Sequence, residues 1–144
     1  LKNDMNNDIK RWRESWLDCI NQLTSFDLQK ESWLDMNHSN PHWSFVEFIC
    51  SYFDDLGLEG DYEKLLEDGW IKREEFEIIE EWHKNLAKYD SPKNDDYNHE
   101  AILNDSKWLE ILKIGEKAKS RLALILGDRE KKILTEKINY KDYI

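Results

Sequence analysis

The residues best suited to chemistry sit close together in the first third of the chain. Asp35, His38 and His42 place one carboxylate and two imidazoles in a short stretch, the donor types that bind zinc and activate water on it. Their spacing works against that use. His38 and His42 straddle Asn40-Pro41, a helix-start signal with Asn40 as cap and Pro41 in the first turn. One imidazole then falls in a loop and the other in a first helical turn, so the shared face of an i,i+4 helical pair is lost. Asp54-Asp55 and Asp95-Asp96 are candidates for acid/base work, but neighbours on a helix point about 100° apart, and neither pair converges by itself. Cys50 lies in an apolar run without an elbow motif, and no G-x-S-x-G, P-loop or G-x-G-x-x-G is present; those motifs supply the nucleophile or the phosphate cradle in many enzymes. No catalytic residue, metal or cofactor is assigned. A metal-dependent hydrolase using Asp35, His38 and His42 stays as a secondary alternative.

The most specific feature is electrostatic. Asp54, Asp55, Glu59, Asp61, Glu63, Glu67, Asp68, Glu74, Glu75 and Glu77 form an acidic belt with Trp70 inside it. A one-sign field speeds encounter with a basic partner, and a Trp can anchor it. The plainer role of such a face is solubility. The net charge of −10 is unevenly spread. Residues 54–105 hold 17 acidic and 6 basic groups, whereas residues 106–144 hold 6 acidic and 10 basic ones. The overall sign disfavours nucleic-acid phosphate and anionic membrane as partners.

The elements that position this belt read as helices. Ile9, Trp12, Trp16, Cys19, Ile20 and Leu23 mark one face of a helix over 8–23, with steps of three and four. Ser25 is placed to cap a second helix over 26–34. A third, over about 41–56, is apolar nearly all round, carrying Trp43, Phe45, Val46, Phe48, Ile49, Tyr52 and Phe53; such a helix belongs at the centre. Gly57 stops it, and a short helix follows before Gly69. A fifth spans about 73–89, with Phe76, Ile79, Trp82 or His83, Leu86 and Tyr89 inward, and with Glu-to-Lys pairs outside. The loop 90–100 and a short turn lead to a long helix from Asp105 or Ser106 to about 126, closed by Gly127. Small Gly115 and Ala118 on its face let another helix come near. The segment 127–144 reads as a basic C-terminal extension, either helix or strand.

Seven Trp residues, 36% charged residues, five Gly and two Pro fit a single all-α, orthogonal domain of six to eight helices. Its core is expected within about residues 8–126. Cys19 and Cys50 read as buried free thiols, which suits a reducing cytoplasm. No stretch is apolar enough for a membrane span, and the polar N-terminal LKNDMNNDIKRW is not read as a signal peptide.

The order and spacing of four motifs resemble a known group. They are QKESW at 29–33, YFDDLGL at 52–58, LLEDGWIKREEFEIIEEW at 65–82 and NDSKWLEILKIGEKA at 104–118. The chain resembles the small, acidic, all-helical bacterial immunity proteins of polymorphic-toxin and contact-dependent growth-inhibition systems. The resemblance implies a cytoplasmic antidote, not an enzyme, that blocks a cognate toxin domain by stoichiometric binding. Toxins of this kind are commonly nucleases with basic surfaces, which an acidic inhibitor would cover. On this reading the belt residues named above form the binding face, with Trp70 as anchor, and Trp33, Trp43, Trp82 and Trp108 belong to the core. The alternatives are a general interaction or regulatory domain for some other basic protein, including a phosphate-mimicking decoy, and the hydrolase above.

Overall fold

Trp12, Trp16, Ile20 and Leu23 recur at steps of three and four, and the segment carrying them is the first helix, α1 (Lys2–Thr24). The architecture comes from a computed structural model that describes residues 2–59 and 62–144, with side chains from residue 6 onward. After α1 come α2 (Phe26–Trp33), α3 (Phe45–Phe53), α4 (Glu63–Glu67), α5 (Arg73–Ala87), α6 (His99–Leu103), α7 (Ser106–Ala123) and α8 (Asp128–Thr135). A 3-10 turn at Tyr140–Tyr143 closes the chain. The fold is all-α, with eight helices and no strand among the described residues. None of these helices is long and apolar enough to cross a membrane.

Two boundaries differ from the sequence reading. The third helix begins at Phe45, not at Pro41, and ends at Phe53. Asn40 Oδ1 accepts from the His42 amide at 3.1 Å, folding the chain into a tight turn. The helix start passes to Ser44, whose extended backbone lets Oγ accept from the Glu47 amide at 3.2 Å. At the far end Gly57 takes φ +71°, and the Leu58 amide returns to Phe53 O at 2.8 Å. That left-handed stop costs a glycine little. Gly69 does the same after α4 with φ +75°, which aims Trp70 back at the core. Ser25 does occupy the N-cap of α2, but its side chain makes no capping bond.

α7 lies along α5 and against α1, α3 packs on α1, and α8 folds back onto α1 and α7. Trp16, Tyr52, Tyr62, Trp82 and Trp108 are the largest fully buried side chains. Trp33 and Trp43 are buried as expected. The rings meet largely edge-on: Trp33 against Phe45 and Phe48, Phe45 against Trp108, Tyr52 against Trp82. Such pairs add roughly 0.5–1.5 kcal/mol beyond the area they bury.

One buried amide joins three helices. Gln29, fully buried on α2, donates through Nε2 to Gln22 O and Leu23 O, both at 3.0 Å. These carbonyls lie at the end of α1, where no intrahelical donor remains. Its Oε1 accepts from Trp108 Nε1 of α7 at 3.0 Å. The amide thus caps α1 and fixes the ring at the centre of the fold.

The basic extension is part of the core, so the boundary expected at residue 126 does not hold. Leu134 is fully buried and Tyr140 nearly so. Asn21 on α1 donates to Glu136 O at 2.9 Å, and Tyr140 donates to Asp35 Oδ2 at 2.7 Å. Gly127 starts α8 as its N-cap instead of closing α7.

Two substitutions test this packing. Leu134→Ala is expected to lower unfolding free energy by about 2–5 kcal/mol, as deletion of a fully buried Leu does; urea denaturation of both proteins reads it. Gly115→Ala places a Cβ 2.7 Å from Thr24 Cγ2 and 2.8 Å from the Trp82 ring. It should cost about 1–3 kcal/mol by the same measurement, because a packed indole between helices cannot yield freely.

Candidate functional site

Arg13 gathers the acidic segments. It lies on α1, directly after Trp12 and one turn before Trp16, where α5, α8 and the turn after α4 converge. Its Nη1 donates to Trp70 O and to Glu75 Oε1, each at 2.9 Å. Nη2 donates to Glu75 Oε2 at 2.7 Å and to Glu130 Oε1 at 2.9 Å, and Nε to Glu130 Oε2 at 2.8 Å. Every donor of the guanidinium is used. The cation also stands 5.5 Å from the centroid of a Trp16 ring. Burial opposes its charge, but the hydrogen bonds to Glu75 and Glu130 outweigh that and raise its pKa.

Glu75 was expected on the binding face; the structure corrects this. It is 1% exposed. As the third residue of α5, it also accepts from the Lys72 amide at 2.9 Å, a helix-start bond. Burial pushes its carboxyl up, yet the bonds from Arg13 and Lys72 hold it below the ordinary glutamate value. Its position follows from a partner 62 residues away in sequence, which helical periodicity does not reveal.

The other belt residues are placed around the same part of α1. Trp12 Nε1 donates to Leu56 O at 3.1 Å, and the Trp12 and Trp70 rings meet edge-on at 5.9 Å. Trp16 Nε1 donates to the Tyr62 hydroxyl at 3.1 Å. These three contacts collect the turn after α3, the start of α4 and the turn before α5. Asp54, Asp55, Glu59, Glu63, Glu67, Asp68, Glu74 and Glu77 are all exposed there. Asp61 lies outside the described residues. Trp70 is half-buried. Asp68 pairs with Lys64 at 3.5 Å, whereas Asp54, Asp55, Glu59, Glu67, Glu74 and Glu77 make no ion pair among the described residues. The neighbouring Asp54 carboxyl raises the Glu59 carboxyl above its ordinary value. Two carboxylates in contact without a cation favour whatever brings one.

The structure gives Asp35, His38 and His42 separate partners. Asp35 accepts from the Asn37 amide at 2.9 Å and from the Tyr140 hydroxyl at 2.7 Å. His38 Nδ1 accepts from the Asn40 amide at 3.2 Å and Nε2 meets Ser32 O at the same distance. His42 Nε2 meets Gln22 Oε1 at 3.0 Å. Each group is committed to a separate partner, and among the described residues no three His, Cys, Asp or Glu side chains are arranged to hold a metal. Both cysteines are free thiols. Burial first, then nearby carboxylates, push Cys19 up to about 12 and Cys50 upward as well, so neither is a ready thiolate. A cavity of 470 Å³ lies between α1, residues 40–43 and the C-terminal turn, lined by Asp18, Gln22, His42, Trp43, Glu136 and Tyr143 among others. Burial raises the Asp18 carboxyl and lowers the His42 imidazole there.

Comparison with protein-family models, with curated proteins and with solved structures finds no match for this chain.

The Arg13–Glu75 contact has a pH signature. The folded carboxyl is depressed below its unfolded value, so its contribution is complete above the unfolded pKa and is lost as pH falls through the folded one. Glu75→Gln is expected to cost about 2 kcal/mol at neutral pH. The difference from the parent protein should shrink as pH drops through the carboxylate range, measured by urea denaturation at several pH values.

Proposed function

We propose that this chain is an immunity protein: it binds a basic toxin domain, one to one, and blocks it through the acidic face around Trp70. The observation that carries this is the set of exposed carboxylates that three consecutive segments present around α1, of which Asp54, Asp55, Glu59, Glu67, Glu74 and Glu77 make no ion pair among the described residues. A surface meant only for solubility mixes both signs. Here the exposed carboxylates of residues 54–77 outnumber the exposed cations Lys64, Lys72 and Arg73, and Arg13 is engaged beneath the face. Such a face attracts a cationic surface over a distance and repels nucleic acid. A nuclease whose phosphate-binding surface is basic fits it, and covering that surface would exclude the substrate. The binding set is Asp54, Asp55, Glu59, Glu63, Glu67, Asp68, Glu74 and Glu77 with Trp70; Asp61 belongs to the same segment by sequence. Glu75 acts beneath it, by holding α5 to α1. The resemblance of the four motifs, in their order, to the immunity proteins of polymorphic-toxin systems supports the same reading. A cytoplasmic site of action follows from the role.

The test is co-purification with the product of the gene immediately upstream, followed by titration of the pair. A one-to-one complex is expected, weakened about tenfold or more when ionic strength rises from low to several hundred millimolar. Combined reversal of Asp54→Lys, Asp55→Lys, Glu67→Lys and Glu74→Lys should weaken it further by about two orders of magnitude while leaving the circular dichroism unchanged. A complex indifferent to both changes sinks the acidic-face model. Capture of an unrelated basic protein by the same face, with no complex from the upstream product, would favour the general interaction domain.

A further inference from the structure

Apart from the acidic face, the cavity between α1 and the C-terminal turn has walls of a distinct chemistry. Its volume of 470 Å³ falls in the range of small-ligand sites. Three remote segments build it. α1 supplies Asp18 and Gln22, one turn apart; residues 40–43 supply His42 and Trp43; the stretch after α8 supplies Glu136 and Tyr143. Polar bonds hold these walls together. Asn21 Nδ2 donates to Glu136 O, and Asn40 Nδ2 donates to Tyr143 O, each at 2.9 Å.

Negative charge collects there without a cation to meet it. Gln22 Nε2 donates to Asp18 Oδ2, and the Gln22 amide oxygen meets His42 Nε2, each at 3.0 Å. Asp18 and Glu136 make no ion pair among the described residues. Asp18 is open to solvent, yet burial by the surrounding protein is the main influence on its carboxyl and raises it, and the Glu136 charge adds to that effect. Burial lowers the His42 imidazole, so it is not a standing cation at neutral pH. Lys137 also lines the cavity, exposed and in no ion pair among the described residues. With Asp142, the lining carries three carboxylates against this one ammonium.

The remaining wall is aromatic. The Trp43 and Tyr143 rings lie 6.3 Å apart, inclined by 48°, and His42 meets Trp43 edge-on at 4.7 Å. Trp43 is buried and Tyr143 is 66% exposed, so the first is fixed in the core and the second borders solvent. Ring faces attract a cation, and they give the carbon chain beside it an apolar bed.

We propose that this cavity binds a small aliphatic amine, whose ammonium pairs with Asp18 and Glu136 while its carbon chain lies along Trp43 and Tyr143. The walls disfavour other classes. An anion would meet three carboxylates and one lysine. A hydrocarbon would strip water from Asp18 and return no partner. A metal ion finds no three His, Cys, Asp or Glu side chains arranged to hold it among the described residues. A diamine uses the walls most fully. One ammonium takes Asp18 and Glu136, and the second is available to Asp142, whose own contact is a 3.5 Å bond from Asn139 Nδ2.

The site shares no residue with the carboxylates of residues 54–77, so it stands whether or not that face binds a toxin. A bound amine ties α1 to the C-terminal stretch. Because these segments come together only in the folded chain, the ligand also raises stability by mass action.

The experiment titrates putrescine into the full-length chain at low ionic strength, with 1,4-butanediol as the uncharged analogue of equal length. NMR follows the Trp43 indole and His42 ring signals at constant pH. Expected is a saturable shift of both with putrescine, and binding of butanediol weaker by about tenfold or more. Asp18→Asn, which keeps an oxygen for Gln22, should weaken putrescine about tenfold, Glu136→Gln less, and Lys137→Gln should tighten it severalfold. Glu67→Gln with Glu74→Gln, on the acidic face, should leave it unchanged. Circular dichroism checks folding, and Glu136→Gln, at an exposed position, carries the test if Asp18→Asn does not fold. The site is overturned if no saturation appears up to about 50 mM, if butanediol binds equally, or if neither Asp18→Asn nor Glu136→Gln weakens binding. It is also overturned if the acidic-face pair weakens binding as much, which would mark diffuse attraction to a net charge of −10. Tighter binding of Nα-acetyl-lysine amide than of putrescine would overturn the small-molecule reading in favour of a partner's lysine side chain.

Discussion

A single guanidinium sets the terms for this fold. Arg13 binds two carboxylates and a backbone carbonyl, and with these contacts it joins α1 to α5, α8 and the turn after α4. The cluster is poorly exposed, so its charges interact with little screening. Two carboxylates flank one cation, leaving the cluster net negative. Hydrogen bonds, not charge balance alone, make that tolerable, because every N–H of Arg13 and both oxygens of Glu75 have partners. The acidic segments are held in place by this one cation and by the two indoles beside it.

Holding them in place separates the charges of the molecule. The carboxylates of residues 54–77 lie on the outside of the turns that Trp12, Arg13 and Trp16 capture. Ten of the cations belong to residues 106–144, while Lys64, Lys72 and Arg73 lie among the carboxylates. The chain is therefore strongly polar, and its field is better suited to orienting an approaching partner than its net charge alone conveys.

The helices were largely legible in the sequence because burial imposes a repeat. Trp12 to Leu23 and Phe76 to Leu86 betray their inward faces by spacing alone, and Gly57 and Gly69 mark turns that do require a positive φ. The Glu80–Lys84 pair also forms as the spacing predicts. What remained hidden was polar and non-local. Asn40 resembles a helix cap, but its side chain serves the turn at His42, and Ser44 takes over the start of α3. Glu75 looks like its exposed neighbours, and only Arg13 distinguishes it. Gln29 is the instructive omission. It lies four residues before Trp33 and three after Phe26, on the inward line of α2, so a polar residue there could have been suspected of a structural role. The role of Leu134 was hidden for a different reason: one turn of apolar residues in a basic stretch carries too little pattern to separate core from tail.

The return of α8 onto α1 also orders events in time. Arg13 leaves the ribosome 117 residues ahead of Glu130, and the face of α1 that α8 covers stays open until residues 128–135 are made. Contacts of such wide separation form slowly, since closing long loops comes before any gain from the contact. A nascent chain already carries every acidic residue of residues 54–77 while the clamp that sets them is still half-built. The finished surface therefore waits for Glu130, and synthesis itself delays its appearance.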